Sequence, residues 1–268
     1  MIQIDIERSK KYFDPRVCVV AEYGFTDWGE EHPSVVLIGY ARKYEDRIRY
    51  MLPDPPRHQH EVYFYDLAKR KQKWKRFPEM PEWSWDYIRE RAGLDFDGDI
   101  RWMDDDENLT PEQIDYRRTE FIKRSGGLWM YINGRLTYIT GKHYLALQWS
   151  PMTGGGYPDF RERDMLWWWA WQACLEDPFC YGMVYLKHRR DGFSNRAVVD
   201  MLDAVTSQYA ARGVITSSLD KDHAIQEIWV PILLPLLDAW PPFFVPETTS
   251  NEKPVGGVID YDEPPRRG

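Results

Sequence analysis

The sequence predicts an α/β fold with a mainly parallel sheet, preceded by an α+β N-terminal region. Three observations carry that expectation. Gly182-Met183-Val184-Tyr185-Leu186 is a short run that is apolar on both faces, the pattern of a strand inside a parallel sheet. A polar loop follows, and then Val198, Met201, Leu202, Val205 and Tyr209 recur at helical spacing. Gly213-Val214-Ile215-Thr216 reads as the next strand.

Composition sets the outer bounds. The chain has 268 residues, enough for one large domain or two small ones. Aromatic residues make up 15%, including 13 Trp and 17 Tyr, which disfavours a disordered chain. The formal net charge of −8 argues against a surface that grips nucleic acid throughout, but leaves room for one basic channel. Cys18, Cys174 and Cys180 are too few and too irregular for a metal site or a disulfide framework, and fit a reducing compartment. The opening residues MIQIDIERSKKYFD lack the apolar core of a signal peptide, and no run of eighteen apolar residues occurs.

Element by element, Val17–Ala21, Val35–Tyr40 and Val62–Leu67 read as β-like runs. Lys69 to Arg76 is a basic block, read as a solvated face with phosphate contact as the alternative. The Pro-, Trp- and acid-rich stretch from Phe77 to Asp106 reads as a connector. It closes an N-terminal accessory region, residues 1–106, ahead of a main domain over 107–268. The acids of Asp104 to Glu107 are read as a loop rather than a metal site, and His58-Gln59-His60 lacks the third ligand of a zinc site. Thr110-Pro111-Glu112-Gln113 predicts a capped helix running to about Lys123. Asn133-Gly134, between Trp129–Ile132 and Leu136–Ile139, predicts a β-hairpin. After the break at Gly154-Gly155-Gly156, residues Phe160 to Glu176 predict a helix apolar almost all round and therefore buried. A further helix is expected over Asp220 to Val230, with Ser217 or Ser218 near its cap.

The loop after Leu186 carries the chemistry. Strand, loop and helix is the layout in which a helix N-terminus points its N–H groups at a phosphate. Against the phosphate-loop pattern G-x-x-x-x-G-K-[ST], Gly192 falls on the second glycine and Ser194 on the Mg²⁺-binding hydroxyl. Phe193 stands where the lysine belongs, and Lys187 replaces the first glycine. By pattern alone this is a poor match. A basic surface loop at a strand end is the competing reading.

The segment resembles the deviant Walker A loop of phage large terminase subunits, in which the basic residue moves to the loop start. Lys187, Arg190, Gly192 and Ser194 match residue by residue. Gly127 to Gly134, Ile139 to Tyr144 and Tyr157 to Arg161 resemble the lead-in to the ATPase domain of that family, as does Pro241 to Pro246 after its next helix. The resemblance spans roughly Phe121 to Pro246 and implies a P-loop NTPase-type sheet. Lys187 and Arg190 would face the β- and γ-phosphates of ATP, and Ser194 would hold Mg²⁺. The backbone from Asp191 through Gly192, Phe193 and Ser194 to Asn195 would form the anion nest. It further implies double-stranded DNA, a portal protein and a small terminase subunit as partners. The intact motor would be a homo-oligomeric ring working in the host cytoplasm, neither secreted nor membrane-bound.

Two departures stand out. Asp164 occupies the place of the family's adenine-contacting Gln. For the acidic pair that ATP hydrolysis needs, the only candidates are Asp262 and Glu263, on a short run followed at once by Pro264-Pro265. The chain thus reads as part of a larger protein whose nuclease domain is absent. The rival functions are a helicase-like P-loop ATPase and a non-catalytic module whose aromatic surface stacks on bases or sugars.

Overall fold

The computed structural model describes residues 19–25, 31–40, 47–53, 63–65, 110–132, 135–176, 182–185, 187, 191–208, 211–216 and 219–246. These residues form a mixed α/β fold. Four strands come first: β1 (Val19–Phe25), β2 (Glu31–Tyr40), β3 (Arg47–Met51) and β4 (Tyr63–Tyr65). Helix α1 (Pro111–Gly126), strands β5 (Leu128–Ile132) and β6 (Arg135–Ile139), and helices α2 (Gly141–Gln148) and α3 (Glu162–Glu176) follow. The last described elements are α4 (Phe193–Ser207), α5 (Lys221–Ala224), a π-helix (Ile225–Leu233), α6 (Leu234–Ala239) and a 3₁₀ turn (Pro242–Phe244). The chain divides into two compact units, each drawn from separated stretches. The first takes Met1–Gln72, Gly127–His143 and Phe160–His188; the second takes Lys73–Gly126, Tyr144–Asp159 and Arg189–Gly268. The domain boundary expected at residue 106 lies outside the described residues, as do the basic block, the connector, His58, His60 and Asn133-Gly134.

In the first unit, β1, β2 and β3 form an antiparallel meander, with Val19 opposite Ile38 and Val35 opposite Met51. The expected runs near Val17 and Val35 fall on its first two strands. A second sheet has the order β4-β5-β6; β4 pairs parallel to β5, and β5 pairs antiparallel to β6. Ile132 stands opposite Arg135, the register that a two-residue hairpin turn demands. Gly127, just before β5, has φ +69°, and a Cβ there would sit 2.2 Å from the carbonyl oxygen of Ile139. Only glycine fits that close approach.

Helix α3 closes this unit against β2 and β3. Its apolar character all round is satisfied by burial: Trp168 is 1% exposed, and Trp167, Trp169 and Cys174 are buried as well. Trp171 is half-buried and stacks on Trp167 at 6.1 Å. The indole N–H of Trp169 donates to the Tyr138 carbonyl at 3.2 Å, tying α3 to β6. The buried His143 ring lies face to face with Phe160 and Trp168, at centroid distances of 5.8 and 6.3 Å.

In the second unit, α1 starts with the expected capping box. The Thr110 N–H donates to Gln113 Oε1 at 2.8 Å, and the Gln113 N–H donates back to Thr110 Oγ1 at 3.3 Å. The inner face of α1 then carries three buried charged residues, Glu120, Lys123 and Arg124. Glu120 accepts from Lys123 Nζ at 2.8 Å, Tyr144 Oη at 2.6 Å and Trp149 Nε1 at 3.0 Å. Arg124 donates to Asp203 Oδ1 at 2.9 Å, Thr206 Oγ1 at 2.6 Å and the Phe244 carbonyl at 3.1 Å. Its guanidinium lies over the Phe244 ring at 4.9 Å. One side chain thereby fixes α1, α4 and the 3₁₀ turn to each other. Helix α4 also packs on the π-helix.

The helix expected over Asp220 to Val230 is present but runs further. Pro231 brings no N–H to an α-helical ladder, and the chain passes it in the wider π register, with the Leu234 N–H donating to the Trp229 carbonyl. It then regains α geometry in α6.

One expectation is corrected. Residues 182–185 and 211–216 do not form strands, and among the described residues the only parallel pairing is β4 with β5. Val184 is 93% and Val214 78% exposed, so neither run is a buried interior strand. Gly182 has φ +146°, outside the β region, so a ladder cannot begin there in regular geometry. An apolar run reports a tendency to be covered, while a strand also needs a second segment in register.

Candidate functional site

The sequence motif lands on the start of α4. Gly192 is the N-cap residue with φ 78° and ψ 15°, left-handed backbone that glycine adopts without steric cost. The N-cap residue itself makes no side-chain capping bond to this helix end. The first-turn N–H groups of a helix have no partner within the helix, and the helix dipole places partial positive charge beside them. A fifteen-residue helix thus begins at a glycine that brings no side-chain oxygen of its own.

Around that end, Ser194 is exposed and Phe193 half-buried. The Oδ1 of Asn195 is buried and makes no hydrogen bond. Asp191 is buried, and its carboxylate accepts from the guanidinium of Arg196, which is buried too. The Arg196 N–H donates to the Gly192 carbonyl at 3.3 Å. Asp191, Gly192, Phe193, Ser194 and Asn195 are thus the consecutive residues that lead into this helix. Lys187 is exposed and belongs to the first unit, whereas the group at α4 belongs to the second. Arg190 and the candidate acids Asp262 and Glu263 lie outside the described residues.

Arg196 is the residue that sequence reasoning missed. It stands five positions after Asp191 with a glycine between, a spacing that is not a helical i,i+3 or i,i+4 pair. Asp164, set by the sequence where the resemblance implies an adenine-contacting Gln, is buried and bonded by Arg161 Nε at 2.6 Å, so its carboxylate is committed within its own helix start. Among the described residues, no three His, Cys, Asp or Glu side chains gather into a metal-binding group. No described helix is long and apolar enough to cross a membrane. Compared with known protein families, curated proteins and solved structures, the chain matches none of them.

Proposed function

We propose that residues 187–195 are a nucleotide-binding loop, and that the chain is the ATP-binding portion of a DNA-packaging motor of the large-terminase type. The observation that carries this reading is the start of α4: a left-handed glycine at the N-cap, which brings no side-chain oxygen, and an exposed Ser194 in the first turn. Such an end offers backbone donors and a positive dipole to a polyphosphate. Lys187 and Arg190 supply the cations, from a sequence that otherwise carries net negative charge. Ser194 fits a Mg²⁺ ion, which keeps most of its waters and takes one or two protein oxygens plus phosphate. Bound there, the ion would neutralise charge on the β- and γ-phosphates. On this reading the finer fold is a P-loop NTPase-type sheet, and the partners are double-stranded DNA, a portal protein and a small terminase subunit.

The rival reading, an aromatic stacking module, gains no support from the Trp-rich helix, where Trp167 and Trp168 are buried and Trp171 is half-buried. The test is an equilibrium titration of the full chain with ATP and Mg²⁺, beside Lys187→Ala. The variant should bind about ten- to a hundredfold more weakly, the worth of one charge-assisted contact to phosphate. Equal binding by both proteins would remove Lys187 from the loop and the nucleotide reading with it.

A further inference from the structure

On the nucleotide-loop reading, which it requires, we propose that Arg196 is a positioning residue of the loop: it takes up the Asp191 carboxylate, so that no free negative charge faces the polyphosphate beside Gly192. Asp191 immediately precedes the N-cap glycine, and its side chain is as buried as that of its partner, at 5% and 6% exposed. A carboxylate left bare at that place would repel every phosphate oxygen approaching the helix end. Arg196, in turn, sits in the first turn of α4, where the dipole disfavours a cation. A guanidinium buried at a helix N-terminus is accounted for by the anion it holds.

The geometry also ties the loop. The ion pair spans Gly192 from the residue before it to the fourth residue after it, and the Arg196 N–H returns to the Gly192 carbonyl at 3.3 Å. Side-chain and backbone bonds from the same residue thus close around the left-handed Gly192. Arg196 acts on the ligand through Asp191. It sets both the charge beside the first-turn amides and the direction in which they point.

The experiment measures ATP and adenosine affinity of the full chain with five variants: Lys187→Ala, Arg196→Gln, Arg196→Lys, Asp191→Asn, and the double Asp191→Asn/Arg196→Gln. Arg196→Gln should weaken ATP at least about tenfold, the effect of ~1.4 kcal/mol of like-charge repulsion, while adenosine changes little. Arg196→Lys should bind ATP within roughly threefold of the parent, the double variant should regain most of what Arg196→Gln loses, and Asp191→Asn should lose less than Arg196→Gln, because none of the three leaves the carboxylate bare. A merely structural role would lower ATP and adenosine together, and the double variant would then be no better than Arg196→Gln. Either that pattern, or an Arg196→Gln protein that binds like the parent, overturns the proposal while a weakened Lys187→Ala keeps the nucleotide reading standing. A parent chain that binds no ATP overturns both. Should Arg196→Gln melt below the assay temperature, Arg196→Met, uncharged and apolar, takes its place; an Asp191→Asn protein that loses as much ATP affinity as Arg196→Gln also overturns the proposal.

Discussion

Arg124→Ala is expected to destabilise the protein by about 3–5 kcal/mol, the cost of removing one partner from a buried ion pair. The side chain is 4% exposed and its partner Asp203 12%, so the abandoned carboxylate has little access to water. The substitution also leaves the Thr206 hydroxyl and the Phe244 carbonyl without their donor. It strips the cation from the Trp240 and Phe244 rings as well. Arg124→Lys should recover only part of the loss, because an ammonium cannot reproduce the fork that reaches Asp203, Thr206 and Phe244 at once. Urea unfolding of the three proteins gives the answer through the shift in midpoint at constant slope. A shift worth less than about 1 kcal/mol for the Ala variant would mean that the clamp is not what joins α1 to α4.

The second large effect belongs to Glu120, one turn earlier on the same helix. Glu120 is fully buried, and replacing it by Ala takes away the shared acceptor of a buried ammonium, a phenol and an indole N–H together. About 3–5 kcal/mol is again expected. The same network imposes an alkaline limit. Tyr144 is held well above the usual tyrosine pKa, first by burial, then by the negative charge of Glu120, then by its hydrogen bond to that carboxylate. The sign follows from which state keeps the proton. Above about pH 10 the unfolded chain ionises this tyrosine while the folded chain does not. Stability from this group is therefore complete below about pH 10 and is lost as pH climbs from there toward the folded value. Tyr144→Phe should flatten that alkaline decline relative to the parent while leaving Glu120 two donors. Identical stability–pH curves above pH 10 would contradict it.

Features written in local sequence were legible. The capping box at Thr110, the hairpin register from Ile132 to Arg135 and the buried Trp-rich helix each depend on residues within a turn or two of each other. The start of α4 was legible for the same reason, since a glycine between a polar loop and an amphipathic run marks a helix end. What failed was non-local. The run at Met183 needs a ladder partner elsewhere in the chain, and no periodicity supplies one. Glu120 and Arg124, four apart, would by spacing pass for an exposed helix pair, yet each reaches a different set of buried groups. The helix before Pro231 was expected to stop at that proline, and the π register carries it through. At the candidate site, the loop positions were readable from residue types, whereas the Arg196 partnership emerges only once the chain bends at Gly192.

On the proposed function, the start of α4 is where the chain meets a polyphosphate. Backbone amide hydrogen exchange of the full chain, with and without ATP and Mg²⁺, tests this most directly, because it reads the first-turn N–H groups themselves. New protection is expected to concentrate at residues 191–196 and to be weaker in Lys187→Ala. Protection spread evenly over the chain, or centred away from the Gly192 turn, would contradict it.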